Sequence, residues 1–446
     1  MLLSSLGTSS ANVALPTLER AFNATFQEVQ WIVLAYLLVI TTLIVSVGRL
    51  GDITGRKFLL LVGLSLFTTA SALCGTAPTL WMLITARMLQ GLGAAILMAL
   101  TMALVGETVP ADKTGGAMGL LGTMSAIGTA LGPSLGGVLI AGLGWRAIFL
   151  INVPLGLVAF HLAHRHLPAD CRRPKTQRRG LDKMGSLVLT LTLGTYALAM
   201  TFGRGSFGLP NVVLLMTAVG GAALFLRIET RAASPLIRLT LFRSPVLSAS
   251  LAMGTLVATV MMATLVVGPF YLSRALGLDA VLVGLVMTAG PLVAALTGIP
   301  SGRVVDRFGA QSMTVFGLLG MAVGSLLLSL FPRSFGIPGY IAPLILITAG
   351  YALFQTANNT SVMADVPADR RGVISGLLNL SRNLGLVTGA SVMGAVFAFA
   401  AAARDITTAA PQAVAGGMRI TFAVAGVLIV AALAIAMAGQ TRAARG

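Results

Sequence analysis

The chain has 446 residues, 56% of them hydrophobic and only 10% charged, with a mean hydropathy of +0.93. That composition excludes an ordinary soluble globule and indicates a polytopic membrane protein. A formal net charge of +17 invites a nucleic-acid reading, but the basic residues cluster in every second loop, so no nucleic-acid partner is expected.

A hydrocarbon core of about 30 Å needs roughly 20 apolar residues per helical span. Helices satisfy their own backbone groups in lipid, so an all-α bundle is the expected class. A transmembrane barrel would alternate over segments of about ten residues, and VVLLMTAVGGAALFL (212–226) does not alternate. In chain order, spans are predicted at 1–18, 29–48, 57–75, 80–105, 114–140, 146–163, 185–203, 210–228, 245–273, 281–301, 311–331, 338–362, 373–400 and 418–438, fourteen in all.

The first span lacks a basic lead and a small-residue cleavage site, so no cleavable signal is expected. Met1 already stands in apolar sequence, which makes this span barely long enough and leaves an upstream start open. After the second span comes GRLGDITGRK from Gly48, and GRVVDRFGAQ from Gly302 repeats its pattern after the tenth. Gly48, Gly51 and Gly55 permit tight turning and close helix approach. Asp52, flanked by Arg49, Arg56 and Lys57, is placed to bind helix N-termini and basic side chains, a polar latch for one conformation. A plain surface turn with topological charges is the alternative, which the recurrence at Asp306 and Arg307 weighs against.

In the fourth span Arg87 is an intramembrane cation expected to face a cavity or a partner, with Gln90 on the same helical face; snorkelling to the interface is the alternative. In the fifth, Gly128, Gly132 and Gly136 form a smooth stripe continued by Gly137, and Pro133 removes a backbone donor and bends the helix. Towards the C-terminus Gln355, Asn358, Asn359, Asn379 and the second intramembrane cation, Arg382, are expected to line a cavity with Asn12. Tyr36 and Tyr271, with Phe270, Phe354 and Tyr351, are candidates to stack on a ligand, although bundle packing explains aromatics equally well.

Of the 30 Lys and Arg, 21 fall on the face carrying RRPKTQRRGLDK, 7 on the other and 2 within spans. The positive-inside rule then puts both termini and that loop in the cytoplasm, and contact with anionic lipid headgroups covers the remaining role of the charges. His161, His164 and His166 lie close together without a Cys or carboxylate in register, so no metal site is expected. Cys74 and Cys171 fall on opposite sides and cannot pair. The two motif copies are separated by eight spans rather than six, which assigns the seventh and eighth to an insertion between two halves. The expected organisation is an N-terminal six-helix bundle (1–165), a basic loop (166–184), two inserted helices (185–230) and a C-terminal six-helix bundle (231–446). Such repeats place a substrate site between the halves near the bilayer midplane. The spans supply no nucleophile with a base, metal cluster or paired carboxylates, so an enzyme is not expected.

GRLGDITGRK, RMLQGLGAA from Arg87, GTALGPSLGG from Gly128, NVALP from Asn12, WRAIFLINVPLG from Trp145 and SGLLNLSRNLG from Ser375 together resemble the major facilitator superfamily, and within it the bacterial fourteen-span drug:proton antiporters. The resemblance implies a major facilitator fold in the bacterial inner membrane, a monomer exporting small amphiphiles without a cofactor, driven by the proton gradient. It gives Arg87 a part in proton transfer and makes the glycine stripe an exporter's hinge. One departure matters: where the family commonly has aspartate this chain has Gly7, and all thirteen acidic residues fall in loops or at helix ends. Proton coupling then runs through Asp52 with Arg87, through competition between substrate and proton, or not at all, and a specific metabolite carrier or an uncoupled facilitator is the alternative function.

Overall fold

The computed structural model describes residues 1–24, 26–110, 113–168, 182–201, 208–232, 235–364, 366–367, 370–401 and 410–443. Long helices fill them, and no strand occurs among the described residues. The first seven are α1 (Leu2–Phe22), α2 (Phe26–Thr54), α3 (Arg56–Thr76), α4 (Leu80–Thr108), α5 (Thr114–Leu143), α6 (Ala147–Leu150) and α7 (Asn152–His166). Next come α8 (Lys183–Thr201) and α9 (Leu209–Arg231). The remainder are α10 (Pro245–Phe270), α11 (Ala280–Phe308), α12 (Ala310–Leu330), α13 (Gly336–Ala364), α14 (Arg371–Ala400) and α15 (Pro411–Ala443).

Among the described residues, twelve helices are long and apolar enough to cross a membrane, with α6 and α7 counted as one rod. Helices α1 and α8 stand outside those twelve, so fourteen predicted spans are matched by twelve on this criterion. Pro154 interrupts the α6–α7 rod by offering no N–H to the preceding turn. Pro269 has the same effect at the end of α10, where a π-turn (Tyr271–Ala275) follows.

Two predicted loops prove to be helix. GRLGDIT forms the last two turns of α2, and GRVVDRF those of α11. Intrahelical bonding continues to the end, with the N–H of Gly55 donating to Gly51 O at 3.1 Å and that of Gly309 to Val305 O at 2.9 Å. Each helix stops where glycine takes a positive φ, 111° at Gly55 and 86° at Gly309, a turn costly for any residue with a Cβ. The motif side chains therefore project from rigid rods.

Helix α1 lies along α5 and α2, α3 packs on α4 and α7, and α10 packs on α14 and α15. Helices α8 and α9 pair with each other, and α8 also touches α2 and α14. One apolar core joins α2, α3 and α4 to the first turns of α14 through Ile44, Leu100, Ile374 and Leu377. A second fills the space among α10, α12, α13 and α15. The two parts of the chain meet mainly through α2 with α14 and α5 with α11. Cys74 is buried, whereas Cys171 and the basic run 172–181 lie outside the described residues.

Candidate functional site

The end of the bundle where α2 and α11 finish carries the best-defined polar structure. Asp52 is buried and accepts backbone N–H bonds from Gly372 (3.0 Å to Oδ1) and Val373 (3.1 Å to Oδ2). Those are free donors in the first turn of α14, so the carboxylate caps a helix dipole. Arg56 holds it from the other side, 2.7 Å from Oδ1, and extends to Glu107 Oε2 at 2.5 Å.

Asp306 repeats the arrangement, accepting N–H bonds from Gly115 (2.7 Å to Oδ1) and Gly116 (2.7 Å to Oδ2) in the first turn of α5. Each carboxylate thus reaches into the other half of the chain. The copies differ in support, because the counterpart of Arg56 is Ala310 and Arg307 points away, over the Phe308 ring at 5.2 Å. Glycines bring the rods together. A side chain at Gly48 would strike the Gly372 carbonyl, and one at Gly302 would lie 2.6 Å from Gly115 O. Two short polar joints over glycine contacts hold the rods together at this end, beside the apolar core that α2 and α4 share with α14.

Arg87 is fully buried rather than snorkelling. Its Nε donates to Ile32 O (2.9 Å), and its Nη1 to Gly7 O (3.1 Å) and Gln90 Oε1 (2.5 Å). Gln90 passes the chain to Ser71 at 2.7 Å. The guanidinium lies 4.1 Å over the Tyr36 ring, a cation–π contact strengthened by burial. Oxygens and a ring, not a carboxylate, therefore balance this charge, and the carbonyl of Gly7 is one of them.

The α5 stripe faces α1. A side chain at Gly128 would lie 2.6 Å from Leu2 O, one at Gly132 would strike Ser9, and Gly136 approaches Ser10 more loosely. The Ser9 hydroxyl donates to Gly128 O at 3.0 Å. Gly137 meets nothing within 4 Å, and Pro133 lies within α5 with only its backbone described.

The expected cavity-lining set does not gather in one place. Tyr36 is buried beneath Arg87, its hydroxyl donating to Ser4 O at 2.9 Å, and so is unavailable to a ligand here. Asn12 is exposed. Asn379 spends its amide on Ser375 O in its own helix, Asn358 reaches Ser250 O at 3.5 Å, and Asn359 is buried. Gln355 and Arg382 are half-buried. Tyr271 stacks on Tyr340 at the opposite end, beside a pocket of about 290 Å³ with Arg333 and Arg419. Sequence reasoning missed Gly372, Gly115, Glu107 and Ser71. The glycines act through backbone N–H groups, which residue type does not reveal.

The Major Facilitator Superfamily model matches residues 1–390. The chain is 34% identical over 393 residues to multidrug resistance protein Stp of Mycobacterium tuberculosis, covering 87% of this chain and 72% of that one. It is 31% identical over 396 residues to riboflavin transporter RibZ of Clostridioides difficile, covering 89% and 86%. The structure of the human organic anion transporter MFSD10 superposes with a TM-score of 0.68 at 16% identity, covering 98% and 96%, which speaks to the fold alone.

Proposed function

This chain belongs to the Major Facilitator Superfamily, and we propose that it exports small amphiphilic compounds, such as drugs, dyes or toxic metabolites, by alternating access with proton antiport. Members of the family are transporters, and the chain is a multi-pass membrane protein. The observation that carries the reading is the pair of capping carboxylates, Asp52 on α14 and Asp306 on α5, which join the two halves at one end. The positive-inside distribution assigns that end and both termini to the cytoplasm, so this conformation is closed to the cytoplasm. Opening requires both caps to be released, and Arg56 then remains as the partner that keeps Asp52 from being buried alone.

In this reading α1 and α8 complete fourteen spans, α8 and α9 are the insertion between two six-helix bundles, and the protein works as a monomer in the bacterial inner membrane. Export is favoured over uptake by relatives named for drug resistance and by the glycine stripe that seats α1 on α5. The relative named as a riboflavin transporter supports a second reading, a carrier for one metabolite. Dye and drug accumulation in cells lacking or overproducing the protein separates the two. Broad loss of resistance on deletion is expected; a growth defect confined to one compound would replace broad export with the second reading.

A further inference from the structure

At the end of the bundle away from Asp52 and Asp306, the π-turn after α10, the end of α12 and the start of α15 enclose a cavity of about 290 Å³. Leu328 and Met418, both buried, give it an apolar wall, and Arg333, Arg419 and Tyr271 give it a polar one. Pockets for drug-sized ligands occupy about 300–1,000 Å³. This cavity therefore suits one small group rather than a whole exported amphiphile.

Two guanidinium groups on one cavity repel each other, and an anion between them reverses the sign of the interaction. Neither arginine forms an ion pair among the described residues. Arg419 donates from Nη2 to Leu330 O at 3.1 Å, which fixes its position and uses one of five N–H donors. Both guanidinium groups act electrostatically on the Tyr271 phenol. Tyr271 is only 7% exposed and stacks on Tyr340 at 6.0 Å, yet its hydroxyl makes no hydrogen bond among the described residues. Only 7 of the 30 Lys and Arg fall on this face, so the topological bias that accounts for the basic loop does not account for two arginines here.

Arginine forks pair bidentately with carboxylate or phosphate. Two forks and a hydroxyl donor exceed what the two oxygens of a carboxylate can accept, and they match a phosphate. We propose that this cavity is a phosphate-binding site, with Arg333 and Arg419 clamping the group and the Tyr271 hydroxyl donating a further bond. A lipid headgroup and a free phosphate present the same oxygens to it. The site is independent of what the protein exports.

The test uses the delipidated full chain in detergent at constant ionic strength, titrated in a calorimeter with inorganic phosphate and, separately, with dihexanoyl phosphatidylglycerol. One saturable phosphate site per chain is expected. Arg333→Gln and Arg419→Gln should each weaken it at least tenfold, and both arginines are exposed, so unfolding temperatures without ligand should stay at the wild-type value. Gly416→Leu should weaken it without changing charge, because Gly416 borders the cavity and a Cβ there meets nothing within 4 Å. Tighter binding of the lipid than of phosphate assigns the site to headgroups, and the reverse order assigns it to a soluble anion; each supports the proposal. The absence of saturable binding by either probe overturns it, as does binding that all three variants leave unchanged.

Discussion

Asp52 and Asp306 stand 254 positions apart and make the same contact, each accepting two backbone N–H bonds from the first turn of a helix in the other half of the chain. An amide in place of either carboxylate removes the charge that complements the helix dipole and turns one acceptor into a donor aimed at an N–H. Hydrogen bonds to charged groups contribute about 1.5–3 kcal/mol each. Asp52→Asn and Asp306→Asn should therefore each lower dye efflux about tenfold or more while the protein still reaches the membrane. Efflux assays normalised to membrane-fraction protein check this.

Glycine contacts carry the second prediction. Gly48→Ala should keep the rods apart where α2 meets α14, because its methyl strikes a carbonyl rather than a movable side chain. Gly122→Ala, with nothing within 4 Å, is the control. Maleimide labelling of an interface cysteine should rise in the first variant and stay at the wild-type level in the second.

Arg56 and Glu107 form an ion pair with unequal partners, 6% and 45% exposed at the side chain. Exposed pairs contribute about 0–1 kcal/mol, so Glu107→Gln should be close to neutral in thermal melts and transport. Arg56→Gln leaves the buried Asp52 to the helix end alone, and removing one partner of a buried pair costs about 3–5 kcal/mol. Its melting temperature should fall by several degrees.

Arg87 bonds two carbonyls and Gln90 through a planar fork that an ammonium cannot reproduce. Arg87→Lys should destabilise the detergent-solubilised protein by about 2–3 kcal/mol. Gly7→Asp tests the same pocket from the other side. A Cβ there lies 3.4 Å from Phe67 and 3.7 Å from the Tyr36 hydroxyl, ordinary contacts, so the variant should fold and place a carboxylate beside Arg87. Export of cationic dyes should then increase relative to neutral ones.

How far the sequence carried depends on what kind of atom each partner used. The repeated Gly, Arg and Asp pattern paired Asp52 with Asp306, and the two make matching contacts. Their partners lie 320 and 191 residues away and are main-chain N–H groups, which no side-chain pattern encodes. Hydropathy placed the helices but ended α2 and α11 too early, because a polar stretch keeps its helix when its side chains find partners across an interface. For Arg87 the sequence left cavity and membrane surface both open; only packing shows it enclosed by Tyr36, Ile32 and Gly7. Among the aromatic candidates, Tyr36 fits a packing role as well as a binding role, and its neighbours place it beneath Arg87.

The central claim is that the two caps hold the cytoplasmic end shut. Pulsed electron–electron resonance between spin labels at Thr54 and Phe308, both exposed at the ends of α2 and α11, tests it most directly in a Cys74→Ala, Cys171→Ala background. The wild-type protein should populate a short distance, and Asp52→Asn with Asp306→Asn should shift most of that population to a longer one. An unchanged distance distribution in the double variant would contradict the account.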